Sequence, residues 1–243
     1  MYHESRLHDL NCFLTLTYAE TGFSLVPRDF TLFMKRLRAR FPRADIRYYA
    51  CGEYGEINSR PHFHVCLFGF NFPDKYPWSR SASGFQLWKS ALLDEIWGHG
   101  HCTIGDFTFE TAAYCSRYVT KKLVDFDDAA APKLAILDPD TGELFFRVKE
   151  FARMSRRPAI GLRWYQKFRR DVYPDGEVVI NGRKARAPRS YDRWFREHDA
   201  GEYMKMVLRR KELGVKLFAE SMPDRLVSRE IVATARSSKR DTI

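Results

Sequence analysis

Two histidines and two tyrosines carry the most chemistry in this chain. Residues Pro61-His62-Phe63-His64-Val65-Cys66-Leu67-Phe68 alternate in character. On a strand, alternate side chains share a face, so His62 and His64 project together while Phe63, Val65 and Leu67 project to the other side. Two imidazoles about 7 Å apart along a strand can grip one metal ion. Glu53, just past a preceding strand, offers a carboxylate if segments 45–51 and 62–70 pair as a hairpin, and Glu56 competes for that role. Two imidazoles, a carboxylate and open water positions suit Mg²⁺ or Mn²⁺ in phosphate chemistry. Cys66 shares the histidine face, where a thiolate would favour zinc, but it lies deeper in an apolar run. The plain alternatives are surface histidines and a carboxylate bonded to its own turn.

The second constellation is Tyr114-Cys115-Ser116-Arg117-Tyr118-Val119-Thr120-Lys121-Lys122. Helical residues four apart share a face, so Tyr114 and Tyr118 lie together, each with a cation (Arg117, Lys121) three residues on. A free phenol, with a pKa of about 10, is a poor nucleophile. A neighbouring cation or metal favours phenolate and neutralises charge building on a phosphate under attack. The reaction such a pair points to is covalent attack on a phosphodiester; the plain alternative is two core rings on an amphipathic helix. His99-Gly100-His101 looks like a second metal motif, but reads as a glycine-containing turn after a helix.

These residues need elements to hold them. Residues 11–18 alternate and read as a strand. Residues 28–41 follow Pro27, with Phe30, Phe33, Met34 and Leu37 at helical spacing. Strands at 45–51 and 62–70 flank a turn-rich loop. Residues 85–97 read as a helix ended by Gly98, 101–106 as a short strand and 110–124 as a helix. The order β-α-β-β-α-β-α is that of ferredoxin-like α+β folds, with an antiparallel sheet stacked on helices. Residues 125–146 read as a linker or surface excursion. Further on, 161–172 reads as a helix, 177–186 as a hairpin turning at Asn181-Gly182, 189–213 as a long charged helix, and 233–243 as a disordered tail.

The 243 residues include 41 Lys plus Arg against 31 Asp plus Glu, a net charge of +10. That surplus points to a polyanionic partner. It is concentrated: residues 147–211 hold 19 basic and 8 acidic residues, and the remainder is nearly neutral. Five scattered cysteines without a CxxC pair argue against a disulfide framework or zinc ribbon and for a reducing compartment. The N-terminal residues carry no apolar signal run, and no apolar stretch is long enough for a membrane span.

FLTLTY (13–18), CGEYG with RPHFHVCLF (51–55 and 60–68) and YCSRYVTKK (114–122) come in the order of the three motifs of HUH-type single-strand DNA nickases. The chain most resembles the replication initiator proteins of microviruses, small circular single-stranded-DNA bacteriophages. Further segments resemble that group at 28–38, 72–75, 103–114, 154–168 and 223–226. Its members usually carry an additional Cys- and Arg-rich segment ahead of the residues matching 1–11, and place apolar or aromatic residues where His99 and His101 stand.

The resemblance implies an HUH nickase core with a central antiparallel sheet flanked by helices, followed by a basic C-terminal extension. It implies His62 and His64 as metal ligands with Glu53 as third, Tyr114 and Tyr118 as nucleophiles, and Lys121 as the motif lysine. It implies rolling-circle initiation with Mg²⁺ or Mn²⁺ on single-stranded origin DNA, together with host helicase and polymerase, in the cytoplasm of a bacterial host and with no membrane. The cations expected on DNA are Arg60, Arg117 and Lys122 beside the motifs, and Arg153, Arg156 and Arg157 at the start of the basic region. The division expected is a catalytic core over 1–124, the excursion over 125–146, a DNA-gripping extension over 147–232, and the tail. The alternatives are a plasmid replication protein, relaxase or transposase with the same chemistry, or a non-catalytic ferredoxin-like module stacking bases on Tyr48, Tyr49 or Phe68.

Overall fold

The computed structural model describes the chain except residues 20–23, 56–58, 125–134, 138–141, 174, 217, 219–221 and 239–243, and except the side chains of 117–124, 136, 237 and 238. It divides into two compact units, Met1–Arg163 and Trp164–Ile243.

The first unit is an α+β structure. Its strands are β1 (Asn11–Thr17), β2 (Arg47–Tyr54), β3 (Pro61–Phe68), β4 (Tyr76–Arg80), β5 (Gln86–Lys89), β6 (Cys102–Gly105), β7 (Ala135–Leu137), β8 (Leu144–Phe146) and β9 (Phe151–Met154). Seven of them form one antiparallel sheet in the order β4-β5-β6-β1-β3-β2-β9, and β7 pairs with β8 as a separate ribbon. The helices of this unit are α1 (Tyr2–Ser5), α2 (Pro27–Arg40), α3 (Ala91–Trp97) and α4 (Phe109–Val124).

Strand alternation divides the sheet into two faces. On one, Cys12, Leu14 and Leu16 of β1 and Phe63, Val65 and Leu67 of β3 are buried against Phe30, Phe33, Met34 and Leu37 of α2 and Leu93, Ile96 and Trp97 of α3. Pro27 opens α2 where its missing N–H costs nothing, and Arg38 and Arg40 sit at its C-terminal end. On the other face, Cys51, Cys66 and Phe68 pack with Cys115 of α4. All five cysteines are free and buried.

The 85–97 segment differs from its sequence reading. Gln86–Lys89 is a strand paired with β4, a strand the apolar spacing does not reveal. The helix begins only at Ala91, because Ser90 Oγ accepts from the Leu93 N–H at 3.0 Å and Asp74 Oδ2 accepts from the Leu92 N–H at 3.0 Å. These caps satisfy the first-turn donors and set the boundary. Gly98, at φ 69°, closes the helix in the left-handed region.

β9 corrects the expected division of the chain: residues 147–163, read with the extension, belong to the first unit, where Tyr49–Gly52 of β2 pairs with Phe151–Met154.

The second unit contains most of α5 (Leu162–Val172), the hairpin β10 (Glu177–Ile180) with β11 (Arg183–Arg186), and helices α6 (Arg189–His198), α7 (Ala200–Lys216) and α8 (Pro223–Ser238). Asn181 (φ 50°) and Gly182 (φ 74°) turn the hairpin where the sequence places it. The segment read as one helix over 189–213 breaks at Asp199, which accepts from the Glu202 N–H at 2.9 Å and so caps α7. Tyr165, Tyr173, Tyr191 and Phe195 form an aromatic core, with Tyr173 and Phe195 stacked at 4.0 Å. Part of the expected tail, residues 233–238, is helical; 239–243 lie outside the described residues.

Candidate metal centre and tyrosine helix

The site is built where β2 and β3 pair. Their register sets Glu53 opposite His62 and Cys51 opposite His64. Because β2 continues to Tyr54, Glu53 stands on the strand itself rather than in the loop after it. The three side chains therefore share one face by strand geometry alone. His62 Nε2 lies 3.2 Å and His64 Nε2 2.8 Å from Glu53 Oε1. One ligand atom from each of the three falls within 4.8 Å of the others, the only such group of three among the described residues.

The other ring nitrogens fix what those atoms offer. His62 Nδ1 is 3.0 Å from the Arg60 carbonyl, which can only accept, so Nδ1 carries the proton. His64 Nδ1 is 3.1 Å from Thr15 Oγ1, directly across the β1–β3 ladder. With both Nδ1 atoms protonated and donating, both Nε2 lone pairs face the Glu53 carboxylate. That arrangement needs a cation at the centre, and outward hydrogen bonds of this kind orient metal-binding imidazoles.

Both Glu53 oxygens are buried without a hydrogen-bond partner of good geometry. Burial pushes Glu53 up, but the two facing imidazoles outweigh it and hold the carboxyl down at about 2. Burial drives His64 down, against the pull of Glu53. A neutral imidazole beside an ionised carboxylate is the state that binds a divalent ion.

His64 is held between two rings. Phe13 stacks on it at 5.2 Å and 15°, and Tyr114 of α4 meets it edge-on at 5.1 Å. Cys115, the next residue, is fully buried on the sheet, with its Sγ 3.8 Å from Cys66 Sγ. That contact seats α4 and aims Tyr114 at the triad. Cys66 packs beneath the helix, outside the ligand group.

Tyr118 follows Tyr114 by one helical turn along the α4 backbone. The side chains of Arg117, Tyr118, Lys121 and Lys122 lie outside the described residues, as does Glu56.

Other sequence candidates fall elsewhere. Arg60 donates to the carbonyls of Tyr18 and of Ala19, the latter at 2.8 Å, tying the end of β1 to the start of β3. Arg153 pairs in register with Ala50, on the α2 side of the sheet, and donates to the Pro27 carbonyl and Thr31 Oγ1. Arg156 and Arg157, with Arg38 and Tyr48, line a cavity of about 880 Å³. This lies away from the triad, at the Arg47 end of β2. His99 and His101 contribute backbone: their carbonyls accept from the Ala19 and Thr17 N–H groups, extending β1. Phe68 is fully buried and Tyr48 and Tyr49 are half-buried, so the stacking surface considered for a passive module is not on those rings.

Sequence reasoning missed Thr15 and Phe13. Both stand in the alternating run of β1 on the half-exposed face, but only the β1–β3 register reveals that they meet His64.

A family model described as replication-associated protein ORF2 matches residues 11–123, from β1 through the tyrosine helix. Replication-associated protein VP4 of Bdellovibrio phage phiMH2K is 32% identical over 227 residues, covering 87% of this chain and 67% of that protein. Replication-associated protein ORF2 of Spiroplasma virus 4 is 33% identical over 198 residues, covering 75% of this chain and 57% of that protein. Replication-associated protein ORF4 of Chlamydia phage 1 is 27% identical over 198 residues, covering 77% and 46%. The chain thus spans between about half and two thirds of these relatives' lengths. No solved structure matches it. With the match beginning at the strand that carries Thr15 and ending on the helix that carries Tyr114, this chain belongs to the family of phage replication-associated proteins.

Proposed function

We propose that this chain is a rolling-circle DNA replication initiator: a metal-dependent, site-specific single-strand DNA endonuclease and strand-transferase that forms a 5′-phosphotyrosine intermediate at a phage origin. The observation that carries this reading is the convergence of Glu53, His62 and His64 beside the Tyr114 ring.

Glu53, His62 and His64 hold the cation. When bound there, a hard divalent ion such as Mg²⁺ or Mn²⁺ supplies positive charge against a phosphate oxygen. Tyr114 or Tyr118 attacks the scissile phosphorus in line. The phenolic O–H proton is lost as the new O–P bond forms, the P–O3′ bond breaks, and the leaving 3′ oxygen takes up a proton. The products are a tyrosine joined to the 5′ phosphate and a free 3′-OH, which a host polymerase extends. Lys121 offsets charge at the phenol and phosphate.

Two tyrosines one turn apart allow a second cut at the regenerated origin while the first still holds the old 5′ end. The released 3′-OH then attacks the older linkage and closes a circle. The partners are single-stranded origin DNA and the host helicase and polymerase, in the cytoplasm of the bacterial host.

Tyr114→Phe and Tyr118→Phe, singly and together, test the reading with 5′-labelled and 3′-labelled origin oligonucleotides in Mg²⁺ or Mn²⁺. The expected result is a denaturant-resistant protein–DNA adduct that the double variant cannot form. Undiminished adduct in the double variant, or nicking unaffected by EDTA, overturns it.

A further inference from the structure

The hairpin β4–β5 caps the far edge of the sheet and has no part in the core chemistry. Its residues 75–89 include Lys75, Arg80 and Lys89 and no acidic residue. Three of its rings face solvent: Tyr76 is 48%, Trp78 61% and Phe85 56% exposed. Lys89 Nζ stands 5.5 Å from the Trp78 ring centroid and Lys75 Nζ 4.5 Å from that of Trp88. The hairpin is held by its own bonds, including Ser81 N–H to the Phe85 carbonyl at 2.8 Å and Arg80 Nη1 to the Gly84 carbonyl at 3.0 Å.

Its position follows from register. Trp88 pairs with Ile104 on the α2 side of the sheet. Lys89, one residue on, therefore stands on the opposite face beside Thr103. Thr103 pairs with Thr15, and Thr15 with His64. Tyr76 pairs with Lys89. One transverse row thus runs His64, Thr15, Thr103, Lys89, Tyr76 along a single face. Thr15, Thr103 and Lys89 are half-exposed and Tyr76 is exposed. Four strand spacings put Tyr76 about 19 Å from His64, a span of a few nucleotides of single strand.

We propose that the β4–β5 hairpin is a single-stranded-DNA platform: bases flanking the scissile phosphate stack on Trp78 and Tyr76 while Lys89 and Arg80 meet the backbone. Exposed rings interleaved with cations hold single strands with little sequence preference. The proposal rests on the reading of the triad face as the DNA-facing side.

The test measures binding of a fluorescent oligothymidylate of about 16 nucleotides to the full chain by anisotropy, across a salt series. Trp78→Ala is expected to weaken binding by about fivefold to a hundredfold. Lys89→Gln is expected to lower the salt slope by about one. Trp78→Phe should retain most of the affinity while removing the DNA-dependent part of the tryptophan quenching, which a merely structural role would not do. Affinity within about twofold of wild type for Trp78→Ala combined with Tyr76→Ala overturns the platform, even where adduct formation continues and the nicking reading stands. Loss of binding with adducts persisting in the Tyr114/Tyr118 double variant leaves the platform and removes the nicking reading instead.

Discussion

Thr15 carries the first-order dependence of the centre on its surroundings. Its hydroxyl holds His64 Nδ1 at 3.1 Å, and the paired position across the ladder leaves no second described hydroxyl for that role. Outer hydrogen-bond partners of metal-bound histidines are worth roughly 10- to 100-fold in affinity. Thr15→Val keeps the side-chain shape and removes the acceptor, so Mn²⁺ affinity measured by calorimetry is expected to fall by about tenfold or more, with Thr15→Ser restoring it. Unchanged affinity would mean that the Phe13 and Tyr114 rings alone fix the imidazole. The pairing of His62 with His64 is legible in the sequence, because a period of two puts them on one face. Glu53 is legible only as a neighbour, since its place depends on β2 running to Tyr54. Thr15 and Phe13 are silent, because the pattern of β1 does not say which strand lies beside it.

At the scale of the element, β3 is a two-sided strand: its odd residues build the core and its even residues build the centre. Phe63 stands between the two histidines, fully buried, with Phe30 and Trp97 each 5.7 Å away between ring centroids. Phe63→Ala removes a large buried ring and is expected to cost about 3–5 kcal/mol, read as a shift in urea midpoint. Mn²⁺ affinity should fall with it, because the backbone that aims His62 and His64 relaxes into the cavity. The β5–α3 segment shows where periodicity misleads. Phe85, Trp88, Leu92 and Ile96 fit a helical spacing, yet the Ser90 and Asp74 caps and pairing with β4 divide it. Helix-capping and strand-pairing outweigh a short apolar period because each satisfies backbone donors that the alternative would leave exposed. That division also creates the exposed aromatic hairpin.

At the scale of the whole molecule, the charge division is redrawn. With the boundary after Arg163, the first unit holds 22 basic and 19 acidic residues and the second 19 and 12. The arginines at 153, 156 and 157 belong to the sheet unit. The segment 155–163 is tied there by Glu4, wholly buried, whose Oε1 accepts from Arg47 Nε at 2.5 Å and whose Oε2 accepts from the Gly161 N–H at 2.6 Å. A chain ending at 163 is therefore expected to melt cooperatively and bind Mn²⁺. One ending at 124 loses β9, bares the edge of β2 beside Glu53 and strands the Glu4–Arg47 pair, so it should show no cooperative transition in calorimetry. Equal melting of the two would place the structural boundary back at 124. Single-strand binding by the 1–163 chain should also be less salt-sensitive than that of the full chain, since the second unit's net positive charge is removed.

The sequence by itself determined the chemistry available: two imidazoles on one strand face, two tyrosines on one helix face, a basic surplus, and the β-α-β-β-α-β order of an antiparallel sheet. These are local, because strand and helix periods decide within a few residues which side chains share a face. Only the tertiary structure decided which residues meet across the ladder. Register placed Glu53 opposite His62 and Thr15 opposite His64, packing of Cys115 on the sheet aimed Tyr114 at the centre, and a strand from residue 151 completed the sheet. Pairing between strands distant in sequence is set by burial and hydrogen bonding of the whole sheet, which no single segment encodes.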